Sequence, residues 1–170
     1  METNREYFRA ISEFTSYEVS NVGRVRRSDT GKIMKLTESA YGYLVLNLYK
    51  DGKPTQKKVH KLVAEAFSTN PENKRTVDHI DSDRKNNCIA NLRFATHSEN
   101  SRNMKKHADN SSAYKGVSLY KHCKRWVARI KFAGKQIYLG SFTSEKEAAE
   151  AYNAAAAEHY GNFAKLNDLD

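Results

Sequence analysis

The sequence has few cysteines and no long apolar run, and each absence excludes a class of protein. Its two cysteines, Cys88 and Cys123, lie far apart and form no C-x-x-C pair. This argues against a zinc knuckle and a disulfide framework, and it favours a reducing setting. No stretch of about 18 apolar residues could span a bilayer. The first six residues, Met1 to Glu6, lack the apolar segment of a signal peptide. We therefore expect an intracellular protein with no membrane segment.

Acidic residues are in the minority, and their deficit is spread along the chain. The sequence has 29 Lys and Arg against 20 Asp and Glu, which gives a net charge of +9. Residues 1–70, 71–111 and 112–170 carry net charges of +4, +2 and +3. A basic excess favours a polyanionic partner, most commonly nucleic acid. The spread of positive charge over all three parts suits a protein that contacts DNA along much of its surface. The alternative is a soluble protein that is basic for no functional reason.

Breaks in the pattern predict three small modules of an α+β fold. The run 68–71 ends in proline, which should stop the preceding helix, and the small polar run 108–112 is typical of a linker. The predicted modules are therefore 1–70, with strands and a short helix; 71–111, a ββα unit; and 112–170, a three-stranded antiparallel sheet packed on one helix. Since each module has only a small core, contact with DNA or a neighbour is expected to help hold it in place.

The first module alternates in the manner of strands and then changes to a helical period. Residues 41–49 alternate, and Asp51-Gly52 supplies a hairpin turn whose residues tolerate positive φ. The apolar residues of 59–67 fall at 59, 62, 63, 66 and 67, which is the spacing of one helix face. Residues 17–27 predict two short strands around the turn 21–23.

The third module contains the clearest strand of the chain, from Lys124 to Phe132. Its alternate residues form one apolar face and one cationic face. The apolar face holds Trp126, Ala128, Ile130 and Phe132, and the other holds Arg125, Arg129 and Lys131. A further strand is predicted at 136–139. A helix should begin after Ser144, where Glu147 completes a capping box, and end near Tyr160.

The middle module carries the residues that indicate chemistry. A short strand near 77–80 and a second near 92–94 flank a polar loop, and a helix should begin near His97. This order can bring Asp78, His79 and Asn100 together at one end. Adjacent residues of a regular strand point to opposite faces, so Asp78 and His79 must lie at a strand end or a bend to share a site.

Phosphodiester hydrolysis explains why these residue types would occur together. A hard divalent cation offsets charge on the transition state and on the leaving 3′ oxygen, and the oxygens of Asp78 and Asn100 suit such an ion. The imidazole of His79 is the natural base for an attacking water, because its pKa lies near neutrality. His79 would be neutral and held by an acceptor on its other nitrogen. Asn91 could supply or position that acceptor across the hairpin.

The middle module resembles the HNH nucleases, in the subset found in phage and intron homing endonucleases. The matching residues are Val77-Asp78-His79-Ile80-Asp81, Asn86-Asn87, Asn91-Leu92-Arg93 and Thr96-His97-Ser98-Glu99-Asn100. The resemblance implies that Asp78 and Asn100 are metal ligands, that His79 is the general base and that Asn91 braces it. The final Asn places the chain among the H-N-N variants, with one Mg²⁺ or Mn²⁺.

The same resemblance implies the setting in which the protein works. It predicts a site-specific homing endonuclease, encoded by a phage or an intron and located in the cytoplasm of a bacterial host. A monomer would act on double-stranded DNA without a nucleotide cofactor, and each active site would nick one strand.

The flanking modules resemble DNA-binding families. Residues from about 7 to 60, with Tyr17-Glu18-Val19-Ser20-Asn21, Gly23-Arg24-Val25 and Gly42-Tyr43, resemble the nuclease-associated modular domain that precedes such HNH units. The third module resembles the DNA-binding domain of the plant Apetala-type ethylene-response factors, which lay their sheet in the major groove. Carried over by position, the candidate contacts are Lys115, Arg125, Trp126, Arg129, Lys131 and Tyr138.

The third module departs from that plant pattern in three places. Ser118 replaces an arginine, and Arg129 and Tyr138 stand where Glu and Trp are usual. The base sequence that the plant domains read therefore does not transfer. Strand alternation also directs Trp126 into the core, so Arg125, Arg129 and Lys131 are the favoured contacts.

Several of these predictions have a structural alternative. His60 is expected to pack beside the apolar helix face, with phosphate contact as the alternative. Arg24, Arg26 and Arg27 cluster beside a turn, where phosphate contact competes with a plain charged face. For the whole protein, the alternative to an active endonuclease is a catalytically lapsed, regulatory DNA-binding protein that retains the HNH fold. The four intact motif residues, Asp78, His79, Asn91 and Asn100, favour the endonuclease.

Overall fold

The structure, a computed structural model, describes residues 5–104, 106 and 111–169. The strands are β1 (Phe8–Ile11), β2 (Phe14–Ser20), β3 (Val25–Arg27), β4 (Thr37–Glu38), β5 (Leu44–Lys50), β6 (Lys53–Lys58), β7 (Thr76–His79), β8 (Leu92–Ala95), β9 (Val117–Tyr120), β10 (Arg125–Phe132) and β11 (Lys135–Phe142). The helices are α1 (Val59–Phe67), α2 (His97–Arg102) and α3 (Glu145–Tyr160), with short 3₁₀ turns at Ile89–Asn91 and Gly161–Phe163.

The chain divides into two compact units, Met1–His97 and Ser98–Asp170. The three-module division at 1–70, 71–111 and 112–170 stays a prediction. Residues 108–110 of the predicted linker lie outside the described residues. The α+β class, with small antiparallel sheets, is confirmed.

Three antiparallel sheets make up the first unit, in the orders β1-β2-β3, β4-β5-β6 and β7-β8. Asp51 and Gly52 join β5 to β6 with φ of +51° and +73°, which confirms the predicted turn and explains its Asp-Gly sequence. Pro54 lies on β6, at the edge of its sheet, where a residue without an N–H is tolerated.

Helix α1 spans the predicted residues and covers a core shared by all three sheets. Its apolar face, including Val59, Leu62 and Val63, is buried. The same core includes Leu48 from β5 and Val77 from β7. The strands that carry the HNH-type motif are therefore stabilised by the same core as the N-terminal strands. Full burial of one Leu or Val side chain in such a core contributes about 1.5–3 kcal/mol.

The second unit is a sheet in the order β11-β10-β9, packed on α3. Ser144 caps α3 with Glu147 in the predicted capping box, and the helix ends at Tyr160 as predicted. On β10 the apolar side packs against the buried face of α3, which consists of Ala148, Ala149, Tyr152, Ala155, Ala156 and Tyr160. In the part of the chain that the structure describes, no helix is long and apolar enough to cross a membrane.

Candidate active site

Asp78 and His79 are the last two residues of β7. This is the strand-end position that adjacent residues need if both are to face one site. Ser82, with φ of +65°, turns the chain away directly afterwards, and its N–H donates to the carbonyl of His79 over 2.9 Å. Both side chains are inside the protein, with Asp78 at 3% and His79 at 5% exposure. The strand register sets Asp78 opposite Arg93 and His79 opposite Leu92 on β8.

The carboxylate of Asp78 forms a buried ion pair with Arg93. Both Nε and Nη2 of Arg93 donate to Oδ2 of Asp78, over 2.9 and 2.7 Å, and the side chains are only 18% and 4% exposed. Buried charges of this kind are stable only when they are paired. Sequence reasoning gave Arg93 no role, although an opposite-charge cross-strand pair follows from the register of the hairpin.

The imidazole of His79 is held by Asn87, which sequence reasoning also missed. Nε2 of His79 lies 3.1 Å from Oδ1 of Asn87, and Asn87 is only 3% exposed. Since an amide oxygen only accepts, Nε2 carries a hydrogen and donates. The sequence placed Asn87 in a polar loop with several other Asn and Asp residues, and nothing there singled it out.

Asn91 holds the loop between the two strands. Its Oδ1 accepts from the N–H of Asp81 over 3.0 Å, and its Nδ2 donates to Oδ1 of Asp81 and to the carbonyl of Asn86, each over 2.9 Å. Its own carbonyl accepts from the N–H of Ile80, the residue after His79, over 2.9 Å. These bonds order the loop that carries Asn87. A role for Asn91 in catalysis through His79 stays a prediction.

Asp81 is the acceptor at the centre of this loop. Burial raises the pKa of its carboxyl, but hydrogen bonds from the N–H of Asp83 and from the side chains of Asn86 and Asn91 outweigh that effect and lower it. Asp81 therefore remains an anion that the loop amides surround, which agrees with its predicted place in a loop.

His60 and Tyr43 lie against the other side of His79. The His60 and His79 rings meet edge to face with centroids 5.0 Å apart, and the Tyr43 ring lies 4.9 Å from His60 and 6.1 Å from His79. His60 is 3% exposed, and its Nδ1 has no hydrogen-bond partner among the described residues. Burial, followed by the charges of His79, Lys58 and Lys61, lowers the pKa of His60 to about 3. His60 packs as predicted, but against the predicted base.

Two cations flank the same aromatic side chain. Nζ of Lys58 lies 4.6 Å and the guanidinium carbon of Arg84 lies 4.9 Å from the centroid of the Tyr43 ring. Such contacts contribute about 0.5–1 kcal/mol at exposed positions. Two positive charges therefore lie on the ring of Tyr43, which packs against His79, and positive charge of this kind attracts phosphates.

Asn100 lies on α2 in the second unit, whereas Asp78 and His79 belong to the first. Its part in a metal site stays a prediction. In residues 5–104, 106 and 111–169, no group of three or more His, Cys, Asp or Glu could hold a metal ion. The predicted ligand pair has one carboxylate and one amide. Oxygen donors of this kind fit a hard cation such as Mg²⁺ or Mn²⁺, and a cation at Asp78 would compete with Arg93.

The predicted DNA contacts of the first unit each pair with a carboxylate. Arg24 bonds to Glu6, and Nε of Arg26 donates to Glu18 over 2.6 Å. Arg27 forms two bonds to Asp29, over 3.0 and 2.9 Å. The side chains of Arg24 and Arg27 are exposed, and such pairs contribute little, so phosphates can compete for these two arginines; the Arg26 pair is half-buried. Contact with DNA stays a prediction.

The predicted contacts of the second unit divide into exposed and internal groups. Arg129 and Lys131 are exposed, and Tyr138, at 59% exposure, pairs with Arg129 across the sheet. Arg125 bonds to the side chain and carbonyl of Ser141, and Trp126 packs against the core beneath the sheet.

Lys115 points into the protein rather than along the sheet face. Its Nζ donates to the carbonyls of Arg102 and Met104, and burial, with a smaller effect of Lys165, lowers its pKa to about 8. The cationic face of the sheet in the described structure is therefore formed by Arg129 and Lys131 rather than by Lys115.

Family comparisons agree with the site that these residues build. Residues 57–102, which include β7, its loop, β8 and α2, match the sequence profile of a family described as HNH endonuclease. The chain contains an HNH endonuclease domain. A NUMOD4 motif matches residues 6–49, so the HNH domain follows a nuclease-associated module, as predicted. The prediction of an HNH nuclease is confirmed at the level of this domain.

Three curated relatives extend the comparison. The uncharacterized HNH endonuclease L247 of Acanthamoeba polyphaga mimivirus is 41% identical over 92 residues, which are 53% of this chain and 23% of that protein. The DNA endonuclease I-HmuI of Bacillus phage SP01 is 39% identical over 87 residues, 51% of this chain and 50% of that one. The AP2-like ethylene-responsive transcription factor TOE2 of Arabidopsis thaliana is 44% identical over 57 residues, 34% and 12% of the two chains.

A solved structure titled as DNA binding and cleavage by the HNH homing endonuclease I-HmuI shares the fold. Its TM-score is 0.54 at 36% identity, and the match covers 57% of this chain and 56% of that one. The chain spans half the length or less of the curated relatives named here. The HNH domain and its NUMOD4 motif are thus established, whereas the Apetala-type assignment of the third module stays a prediction.

Proposed function

We propose that the protein is a site-specific DNA endonuclease of the homing type, which hydrolyses phosphodiester bonds with one divalent cation, Mg²⁺ or Mn²⁺. The observation that carries this proposal is the end of β7. There a buried carboxylate, Asp78, adjoins an imidazole, His79, whose orientation is fixed by Asn87. Both residues lie within the segment that matches the HNH family.

His79 acts as the general base. With its hydrogen on Nε2 and donated to Asn87, the neutral ring has its basic lone pair on Nδ1. Nδ1 takes a proton from a water that attacks the phosphorus in line with the leaving 3′ oxygen. Burial of the ring and its contacts with His60 and Tyr43 restrict its rotation, so the base is held in one orientation before substrate arrives.

Asp78 and Asn100 are the residues that would hold the cation. When bound, the cation supplies charge stabilisation to the transition state and the leaving oxygen. Arg93 pairs with the Asp78 carboxylate and orients it until then, through the two bonds to Oδ2. Asn91 contributes indirectly by ordering the loop that carries Asn87.

Double-stranded DNA is the proposed substrate, and the cationic sheet of the second unit places it. Arg129 and Lys131 extend from the face of β10 opposite α3, with Tyr138 beside Arg129. The solved structure of I-HmuI is described as showing DNA binding and cleavage, which supports this substrate class. With one HNH site in the chain, a monomer nicks one strand at each binding event.

A lapsed, regulatory DNA-binding protein is the second candidate. The similarity of 57 residues to a plant transcription factor favours it, because that relative is named for regulation rather than cleavage. In this reading the HNH fold persists as a scaffold.

A cleavage-mapping experiment separates the two. Supercoiled plasmids with a randomised insert are incubated with the protein and Mg²⁺, Mn²⁺ or EDTA, and the DNA ends are sequenced. The endonuclease predicts metal-dependent nicks on one strand within a shared sequence. Enrichment of the same sequence in bound DNA without any nicks would establish the regulatory reading.

A further inference from the structure

The N-terminal strands lie directly against the loop that orients His79. Gly23, in the turn between β2 and β3, has φ of +89°, and a Cβ added there would lie 2.8 Å from Cβ of Asn87 and 3.3 Å from its carbonyl oxygen. Real Cβ atoms do not approach this closely, so any larger residue must displace Asn87 or strain the turn. The contact links the NUMOD4 motif (residues 6–49) to the segment that matches the HNH family (residues 57–102).

Further bonds from the N-terminal strands hold the chain on both sides of Asn87. The carbonyl of Asn21 accepts from the N–H of Ile89 over 2.8 Å. The carbonyl of Tyr41 accepts from Nη1 of Arg84 over 2.7 Å. The chain is therefore held at Arg84, three residues before Asn87, and at Ile89, two residues after it.

Within the hairpin of the HNH domain, Asn87 itself bonds to a near neighbour. Its N–H and Nδ2 both bond to the carbonyl of Lys85, over 3.1 and 3.2 Å, and Asn91 holds the adjacent carbonyl of Asn86. These bonds support the loop from the hairpin side, and the contact with Gly23 limits its distance from β7 on the opposite side. That distance determines whether Oδ1 of Asn87 reaches Nε2 of His79.

From this geometry we infer that the turn at Asn21–Gly23 positions the general base, with Gly23 as a positioning residue that acts on His79 through Asn87. The NUMOD4 motif is then part of the active site's support as well as a candidate DNA contact. The inference concerns the orientation of the His79 ring, and its effect on cleavage rests on the proposed function. Misplacement of a catalytic group by about 1 Å can cost on the order of 10²-fold in rate.

Gly23→Ala is the direct test, and Gly52→Ala is its matched control. Gly52 also has a positive φ, +73°, but a Cβ there meets nothing within 4 Å, so it carries the backbone strain without the contact. In Gly23→Ala we expect the single-turnover cleavage rate at saturating enzyme to fall by about 10- to 100-fold, with DNA affinity within about twofold of wild type. Gly52→Ala should cleave at the wild-type rate. Equal rates in the two variants would overturn the inference.

A double-mutant cycle with Asn87→Ala distinguishes positioning from a general loss of stability. If Gly23 acts through Asn87, adding Gly23→Ala to Asn87→Ala should slow cleavage by less than about twofold, because the bond to His79 is already lost. A merely structural Gly23 would add its full effect in both backgrounds, and that result would contradict the inference.

The ring nitrogens of His79 give a readout that does not depend on cleavage. In ¹⁵N-histidine-labelled protein, NMR should show the Nε2-protonated tautomer of His79 in wild type and Gly52→Ala, and a mixture of tautomers in Gly23→Ala. If Gly23→Ala does not fold, Arg84→Ala, which removes the tether to Tyr41, replaces it with the same expectation. An unchanged tautomer would overturn the inference, whereas absence of cleavage by wild type would overturn only the proposed function.

Discussion

Burial of His60 makes the stability of the first unit depend on pH. The pKa of His60 is about 3 in the folded protein, lowered from 6.5 first by burial, so the unfolded chain binds a proton that the folded chain excludes. The stabilisation is therefore complete above pH 6.5 and is lost progressively as the pH falls from 6.5 toward 3. Linkage gives a loss of about 1 kcal/mol at pH 5.5 and about 3 kcal/mol at pH 4.5 from this one group.

The substitution His60→Phe removes the titration and keeps an aromatic ring against Tyr43 and His79. It also removes the buried Nδ1 that has no partner within the described part of the chain, and a buried unsatisfied polar atom costs about 1–3 kcal/mol. We expect His60→Phe to be as stable as wild type or more stable at pH 7.5, and to gain about 3 kcal/mol on wild type between pH 7.5 and pH 4.5.

Urea unfolding read by pulsed hydrogen exchange on peptides from β5 and α1 measures this unit alone. The only tryptophan of the chain, Trp126, lies in the second unit, so its fluorescence follows that unit in the same samples. His122→Gln is the control, because His122 is exposed in the second unit. Carboxylates that titrate in the same range affect wild type and His60→Phe alike and cancel in the difference. Parallel pH profiles for wild type and His60→Phe would contradict a lowered pKa of His60 in the folded protein.

Three further predictions follow from single contacts. Arg93→Met removes the ion pair of the buried Asp78 carboxylate and should destabilise the first unit by about 3–5 kcal/mol in urea unfolding; a loss below about 1 kcal/mol would contradict the buried pair. Ser144→Ala removes the cap of α3 and should cost about 1 kcal/mol by Trp126 fluorescence, and an unchanged midpoint would show that the capping box contributes nothing. Lys131→Ala should weaken DNA binding without changing sequence preference and should reduce the salt slope by about 1, whereas an unaltered slope would place Lys131 away from phosphate.

Local patterns predicted much of the fold because their causes are local. Helix α1 has the expected bounds, since its apolar spacing and the nearby Pro71 both act over a few residues. The Asp51-Gly52 turn and the capping box of α3 were predictable for the same reason. Strands β1 and β4 were not predicted. Strand β4 has only two residues, and the sequence of β1, Phe-Arg-Ala-Ile, does not keep a regular alternation of apolar and polar residues.

The candidate site was predicted only in part, because its supporting contacts are long-range. The placement of Asp78 and His79 at a strand end followed from the alternation of side chains along a strand. The identity of the His79 partner did not. The sequence indicated Asn91 as the brace and did not distinguish Asn87 from Asn86, whereas the fold of the loop against Gly23 brings Asn87 to the ring. Arg93 could have been found by pairing the two strands in register. Neither the metal ligation by Asn100 nor the DNA contacts are decided by the fold.

His79, at the end of β7, is the proposed base of a metal-dependent DNA endonuclease. The most direct measurement is single-turnover cleavage of a mapped target by wild type and His79→Ala with Mg²⁺ or Mn²⁺, with DNA affinity measured in parallel. We predict that His79→Ala binds within about twofold of wild type and loses on the order of 10²- to 10⁴-fold in cleavage rate. Cleavage by His79→Ala at the wild-type rate would contradict the claim.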